Sequence, residues 1–294
     1  MSDASKKARR DQAREHAREM REQERKRKVR NGWIIRGSVG LALIAVAVIT
    51  VLIFNSVRQA EIEAAVPKPG PENMISDGIL LQGDGAGNIV AVPTAAIAAG
   101  GDYTPTDVTK YADTVNIVTY VDYFCPVCQA FEQANAEQIG TWVSAGAATL
   151  EVHPISILDG RSLGTRYASR AANAMACVAQ YDPDRFFQAS TAMYGSQPAE
   201  GTAGLTNEEI AAVLAQSGVT SLDVVKCIND ETFKQWVTDA TARTNVGPIP
   251  NSELPRVTGT PTVLVNGYQY PGAVNDAAAF AEFVSAVASG SYTP

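Results

Sequence analysis

Twenty-one consecutive residues without a charge, Gly37 to Val57, divide this 294-residue chain into two unlike parts. Most of the run is apolar (Leu41-Ala42-Leu43-Ile44-Ala45-Val46-Ala47-Val48-Ile49). As a helix it would measure about 30 Å, the thickness of a bilayer's hydrocarbon core. Soluble helices rarely stay apolar on every face for that length, so the reading is a membrane span, taken with its flank as residues 33–57. Up to Arg36 there are 13 Lys/Arg against 6 Asp/Glu, a net +7; the remainder carries 11 against 25, a net −14. Basic residues before the span (Arg25, Lys26, Arg27, Lys28, Arg30) hold the N-terminus in the cytoplasm and send the rest across. A cleaved signal peptide would show a shorter apolar core and a small-x-small site, and Asn55-Ser56-Val57-Arg58-Gln59 offers none. The expectation is an uncleaved signal-anchor with the acidic body outside the cytoplasmic membrane.

That acidic body excludes nucleic acid as an expected partner, and a chain 46% hydrophobic is not disordered throughout. Residues 1–32 form a basic cytoplasmic tail, where interspersed acids (Ala13-Arg14-Glu15-His16-Ala17-Arg18-Glu19) favour a solvated face over an RNA-binding arm. Residues 58–112 read as an extracytoplasmic linker, stiffened by Pro67-Lys68-Pro69-Gly70-Pro71. Within it, Ile79-Leu80-Leu81 and Ile89-Val90-Ala91-Val92 flank a Gly-rich turn and suggest a small hairpin. Gly83, Gly85 and Gly87 do not make a phosphate loop, because no Lys-Ser/Thr and no helix follow.

Beyond residue 113 strands and helices alternate, indicating an α/β domain over 113–294. Val115 to Val121 is a β-branched run, read as a buried strand. Pro126 then opens a helix, where its missing N–H costs nothing, with Val127, Phe131, Ile139 and Val143 along one face. A strand over Thr149–Ile157 follows. A helical block fills about 161–250, broken at Asp182-Pro183 and between Gly195 and Gly204. Thr262 to Val265 and the run after Gly267 form a hairpin, and Asp276–Ala288 closes the domain as a helix. The order is β-α-β, helical insertion, β-β-α.

The chemistry lies in four cysteines, all on the expected exported side: Cys125, Cys128, Cys177 and Cys227. Cys125-Pro126-Val127-Cys128 stands where a strand ends and a helix begins. Cys125 would be the helix N-cap, with its sulfur facing unpaired N–H groups and the positive end of the dipole. Both favour the thiolate, the species that attacks disulfides. Cys128, one turn further in, would resolve the mixed disulfide. Zinc is the rival for a C-x-x-C, but Cys177 and Cys227 stand far apart without Cys or His neighbours, so no metal is expected. Those two could be buried free thiols; in an oxidising compartment pairing is favoured. Closing a loop of roughly 50 residues would stabilise the fold by about 4 kcal/mol in the chain-entropy model.

Two motifs carry a resemblance. Tyr120-Val121-Asp122-Tyr123-Phe124-Cys125-Pro126-Val127-Cys128 is similar to the strand-Asp-aromatic-x-Cys-Pro-x-Cys of the DsbA-like thiol-disulfide oxidoreductases of the thioredoxin superfamily. Val257-Thr258-Gly259-Thr260-Pro261-Thr262-Val263-Leu264-Val265-Asn266-Gly267 resembles that family's cis-proline loop and following strand. The likeness covers about Val115 to Ala288 and is greatest to membrane-anchored DsbA-like proteins of actinobacteria. It implies a thioredoxin fold with an inserted helical domain and a redox-active Cys125–Cys128 pair. It also implies a cis bond before Pro261 with Thr260 beside the active site, and a structural Cys177–Cys227 bridge. No bound cofactor is implied. The implied partners are exported reduced or unfolded proteins and a membrane quinone-linked thiol oxidase that restores the disulfide.

Two departures bear on redox direction. Thr119 stands six residues before Cys125, where thioredoxins and many relatives carry a buried proton-relaying acid. Asp122 is acidic but falls on the opposite strand parity, so it is not assigned that role. Val127 replaces the His of the strongest oxidases and cannot stabilise the Cys125 thiolate. Gly160-Arg161-Ser162-Leu163-Gly164 matches a hydrolase elbow, yet no His follows Ser162, so the match is set aside. His153, before Pro154, is read as structural. The functional expectation is an extracytoplasmic oxidase acting through Cys-Pro-Val-Cys. The alternatives are a reductase or isomerase of the same fold, or a redox-idle binding or chaperone module.

Overall fold

The computed structural model describes residues 66–293 continuously and, before them, residues 15, 18–22, 24–28 and 49–50. The expected span at 33–57 lies outside the described residues except for Ile49 and Thr50. Among the described residues no helix is long and apolar enough to cross a membrane. Two compact units emerge, 1–66 and 67–294. In the first, the described parts are helical and exposed, with Lys26 and Glu22 paired at 3.4 Å one turn apart.

The second unit is built on a six-stranded sheet in the order β2-β1-β4-β3-β5-β6. The strands are β1 (Ile79–Gly83), β2 (Ile89–Ala91), β3 (Val115–Val121), β4 (Ala148–Pro154), β5 (Thr262–Val265) and β6 (Tyr268–Gln269). β3 and β4 run parallel, and every other pairing is antiparallel. The parallel pair needs a crossover, and α1 (Pro126–Ser144) supplies it. Between β4 and β5 come α2 (Tyr167–Tyr181), α3 (Phe186–Gly195), α4 (Asn207–Gln216), α5 (Leu222–Asn229) and α6 (Lys234–Val246); α7 (Ala277–Ala288) ends the fold. β5 turns into β6 through Asn266-Gly267, both at positive φ, as a two-residue hairpin that follows the strand twist requires.

Alternation along β3 explains both faces of the sheet. Ile117 and Val121 join the main core with Phe131, Ile139, Val143, Leu150, Val152 and Phe280, the α1 and α7 side. Tyr120 points the other way and packs with Ile155, Ile249, Val257 and Leu264. The inserted helices surround α2, whose alanines at 168, 171, 172, 174, 176 and 179 are all buried. A helix covered on every face needs small side chains if its neighbours are to pack closely.

The segment read as a linker is different in the structure. From Gly70 onward it is packed: the Gly70 N–H donates to the Ile97 carbonyl at 2.9 Å and Met74 is fully buried. The small hairpin is the edge of the main sheet, because β1 pairs with β4 in the register Ile79↔Val152, Leu80↔Glu151, Leu81↔Leu150. The reason is the buried Asp77. Its carboxylate accepts two hydrogen bonds from the Arg243 guanidinium, both 2.6 Å, and one from Trp236 Nε1 at 3.1 Å. These tie the start of the unit to α6.

Removing Arg243 would leave the Asp77 charge buried without a counter-ion, which costs about 3 kcal/mol or more. Arg243→Ala is expected to lower the unfolding free energy read from urea denaturation by that amount, through a lower midpoint with little change in the slope of the transition.

Candidate active site

The C-terminal end of β3 delivers the chain to the site. Asp122 follows the last strand residue; it is fully buried, its Oδ1 accepts from the Phe124 N–H at 2.8 Å and its Oδ2 from the Leu158 N–H at 2.9 Å. The Cys125 N–H donates to the Asp122 carbonyl at 3.0 Å, closing a turn. Cys125 is the N-cap of α1 at φ −82° and ψ 116°, with Pro126 in the first helical position. From the insertion, Gln197 Nε2 donates to the carbonyls of Tyr123 (2.9 Å) and Cys125 (3.2 Å), and the Tyr123 and Ser190 hydroxyls are 3.0 Å apart. Sheet and insertion together hold the loop.

Cys125 and Cys128 are free thiols, 6% and 1% exposed, whereas Val127 between them is 47% exposed. The Thr260–Pro261 bond is cis, and the Cys125 thiol donates to the Thr260 carbonyl at 3.2 Å. A hydrogen bond from the Cys128 thiol is the main cause that draws the Cys125 pKa down to about 6. Partial burial opposes this, and the N–H groups of Cys128 and Val127 support it. Cys128 moves the other way, pushed well above the ordinary thiol value by burial and by the same shared proton. The pair is therefore differentiated: an N-cap thiol that favours the thiolate and, behind it, a more deeply buried thiol that resists ionisation.

Asp122 needs a different account from its strand parity. The strand stops at Val121, so alternation no longer decides where residue 122 points, and the turn carries the carboxyl under the loop beside Cys125. Burial raises its pKa to about 7, against the two N–H bonds that favour the charged form. Thr119 sits on the α1 side of the sheet, buried, on the wall of a cavity it shares with Cys128.

Cys177 on α2 and Cys227 on α5 form a disulfide with Cα atoms 5.8 Å apart. Committed to each other, they cannot complete a zinc site with Cys125 and Cys128. Among the described residues no group of three or more His, Cys, Asp or Glu could hold a metal ion. Ser162 is fully buried and caps its own turn, its Oγ donating to the Asp159 carbonyl at 2.8 Å and accepting from the Tyr167 N–H. His153 stacks on Tyr120 with centroids 4.4 Å apart and lies 3.4 Å from Glu151 on β4. Both are structural. Gln197 was invisible to motif reading: a glutamine in a loop 72 residues from Cys125 carries no local signal.

The thioredoxin family model matches residues 110–287, which is more than half of the chain. The chain belongs to the thioredoxin family. No curated protein matches it. Among solved structures, it resembles the reduced DsbG disulfide-bond oxidoreductase of Mycobacterium tuberculosis at 26% identity and a TM-score of 0.50, over 60% of this chain and 83% of that one. Oxidised BdbD of Bacillus subtilis shares the fold at 18% identity and a TM-score of 0.51, over 76% and 99%. MdbA, a thiol-disulfide oxidoreductase from Actinomyces oris, aligns at 20% identity and a TM-score of 0.49, over 62% and 84%. The DsbA-like resemblance stands, and this member of the thioredoxin family is a thiol-disulfide oxidoreductase.

Two outcomes follow from the electrostatics. Cys128→Ala removes the largest support of the thiolate, so the alkylation midpoint of Cys125 should move from about 6 toward the ordinary value of about 8.5. Asp122→Asn removes a carboxylate whose charge opposes the Cys125 thiolate, and should lower that midpoint. It also turns an amide N–H₂ or a lone acceptor toward two N–H donors, costing about 1–3 kcal/mol of stability. Iodoacetamide rates against pH and chemical denaturation read the two effects separately.

Proposed function

We propose that this chain is a membrane-anchored oxidase that donates the Cys125–Cys128 disulfide to exported proteins. A substrate thiolate attacks Cys125, the mixed disulfide forms, and a second substrate thiol releases the substrate disulfide and the reduced enzyme. The exposed Val127 and the Thr260-Pro261 loop flank the attacked sulfur, and an extended substrate segment can add to that loop as a short strand. The span at 33–57 holds the domain at the outer face of the cytoplasmic membrane, where a quinone-linked thiol oxidase restores the disulfide.

The observation that carries the direction is the depressed Cys125 pKa. Whatever stabilises a thiolate stabilises the dithiol state and makes the disulfide a better oxidant. With the pKa near 6, the reduced form gains about 1.4 kcal/mol at pH 7 over a dithiol at about 8.5, which is about 30 mV. Thioredoxin's cysteine lies near 7 and DsbA's near 3.5, so Cys125 falls between a reductant and a strong oxidant. DsbG of M. tuberculosis, the structural relative named above, is itself described as a disulfide-bond oxidoreductase. A reductase or isomerase uses the same atoms in reverse. A redox-idle chaperone module would have no use for so differentiated a pair.

The full chain should poise between about −220 and −130 mV, toward the lower end, and Val127→His should raise the potential by tens of millivolts. A chain near −270 mV that reduces insulin quickly and leaves a reduced unfolded substrate unoxidised is a reductase instead. The pH dependence has a fixed sign. The folded Cys125 pKa lies below the unfolded one, so its stabilisation of the reduced state grows between about 6 and 8.5 and is lost as pH falls through about 6. The melting-temperature advantage of reduced over oxidised protein should shrink accordingly in acid. Cys128→Ser should accumulate mixed disulfides through Cys125 in cells. Protease added to spheroplasts should digest the C-terminal unit; its protection would overturn the topology.

A further inference from the structure

The Tyr120 face of the sheet is covered unevenly. Toward the active site its apolar residues are closed over by Ile249 and Val257. Toward the far end, Val118 and Leu264 floor a cavity of about 230 Å³, walled in part by Val108 and Pro250. Two exposed asparagines, Asn251 and Asn266, stand at this cavity. Asn251 Nδ2 donates to the Thr106 carbonyl at 2.9 Å, and Asn266 Oδ1 accepts from the Asn116 N–H at 2.7 Å. Both amides are thereby oriented, and among the described residues Asn251 Oδ1 is left as a spare acceptor and Asn266 Nδ2 as a spare donor. The two turns are also locked together, since Gly267 lies so close to the Asn251 carbonyl that a Cβ there would overlap it. Among the described residues no side chain lining the cavity is charged or aromatic. That lining suits neither an ionic ligand nor a stacked ring. One acceptor and one donor beside an apolar floor match a peptide group, which offers one N–H and one C=O, next to an aliphatic side chain.

We propose that this cavity is a second docking site for the substrate chain, taking an aliphatic side chain of a neutral, extended segment while Asn251 and Asn266 hold its peptide group. The proposal rests on the redox reading of Cys125 and Cys128. β5 links the two places: from Thr260 beside Cys125 to Asn266 at the cavity the strand advances six residues, about 20 Å at about 3.3 Å each. A segment held at the cavity therefore keeps a cysteine some six to eight extended residues away within reach of Cys125. Unfolded chains expose the aliphatic segments that folded ones bury, so the second site selects substrates that have not yet folded. Docking at two points also turns the meeting of the substrate thiolate with Cys125 into an intramolecular event at raised effective concentration. Folding of the substrate withdraws the segment and with it the second contact, which favours release of the oxidised product.

The test uses the oxidised full chain in lipid nanodiscs, which keeps detergent out of the cavity. Two uncharged Gly/Ser peptides, each with a pair of cysteines, differ only in carrying Leu or Ser roughly seven residues from the nearer cysteine. The Leu peptide should be oxidised with a KM lower by about tenfold and an unchanged kcat. Ala112 is exposed and lines the cavity, so Ala112→Phe should fill it and abolish the difference between the peptides. Asn251→Gly tolerates the positive φ of 55° there and removes the spare acceptor; it should shrink the advantage of the Leu peptide by about fivefold. Binding is read directly from ¹³C-methyl resonances of Val118 and Leu264, which should shift when a cysteine-free Leu peptide is added and stay fixed with its Ser counterpart. Equal KM values for the two peptides in wild type, or methyl resonances that the Leu peptide leaves in place, would overturn the proposal. Failure of wild type to oxidise either peptide would refute the redox reading instead, and the methyl shifts would still decide whether the cavity takes a chain.

Discussion

One proton shared between Cys125 and Cys128 organises this molecule. In the N-cap position the Cys125 sulfur faces the N–H groups of Val127 and Cys128, while Cys128 sits one turn deeper behind the apolar wall of the sheet. Two identical thiols thereby acquire opposite tendencies, and only a rigid loop keeps them so. A displacement of the N-cap by 1 Å would lengthen bonds near 3 Å beyond hydrogen-bond reach. That is why so many groups with no part in the chemistry converge on residues 122–125: Asp122 from below, Gln197 from the insertion, Tyr123 against Ser190 and stacked on Tyr194.

The helical insertion is therefore more than a lid attached to a redox fold. Its carbonyl and amide contacts reach the active-site loop directly, and Gln129 on α1 donates back to the Tyr194 carbonyl at 2.8 Å. The Cys177–Cys227 bridge joins the central helix α2 to α5, and Asn173 one turn before Cys177 accepts from the Phe233 N–H at 2.8 Å, setting the start of α6. α6 in turn holds Asp77 through Arg243. A continuous line of buried contacts thus runs from the first packed residues of the unit to the helix that frames the cysteines.

Much of the site was legible because its signals are local. A β-branched run, a Cys at the strand–helix junction and Pro at the first helical position specify an N-cap cysteine by short-range geometry. Thr260-Pro261 followed by a β-branched strand is nearly as local. The parts that escaped are those where a side chain acts across many residues. Gln197 reaches Cys125 from a loop with no pattern of its own. Asp122 obeys the turn and not the strand, so periodicity misplaced it. Gly70 to Ala91 looked like linker and satellite hairpin because Pro71 and five glycines interrupt it; only the partners it meets in space, Arg243, Trp236 and β4, make it part of the sheet's edge.

Asp122 introduces a competition that the cysteines alone would not show. Its carboxyl titrates near neutrality, and in its charged form it stands beside the sulfur whose negative charge makes the disulfide oxidising. Below that range Asp122 is neutral and leaves the Cys128 thiol and the N–H groups to favour the thiolate against burial alone. Above it, two negative charges share one buried turn, and each disfavours the other, so neither titrates as an isolated group. The two N–H bonds to Asp122 limit the penalty without removing it, since they favour the carboxylate and so place the charge nearer to Cys125 at a lower pH than burial alone would allow. The loop that positions the nucleophile is thus also the element that moderates it: the Cys128 thiol and the helix N-terminus favour the Cys125 thiolate, and one buried carboxylate stands against them.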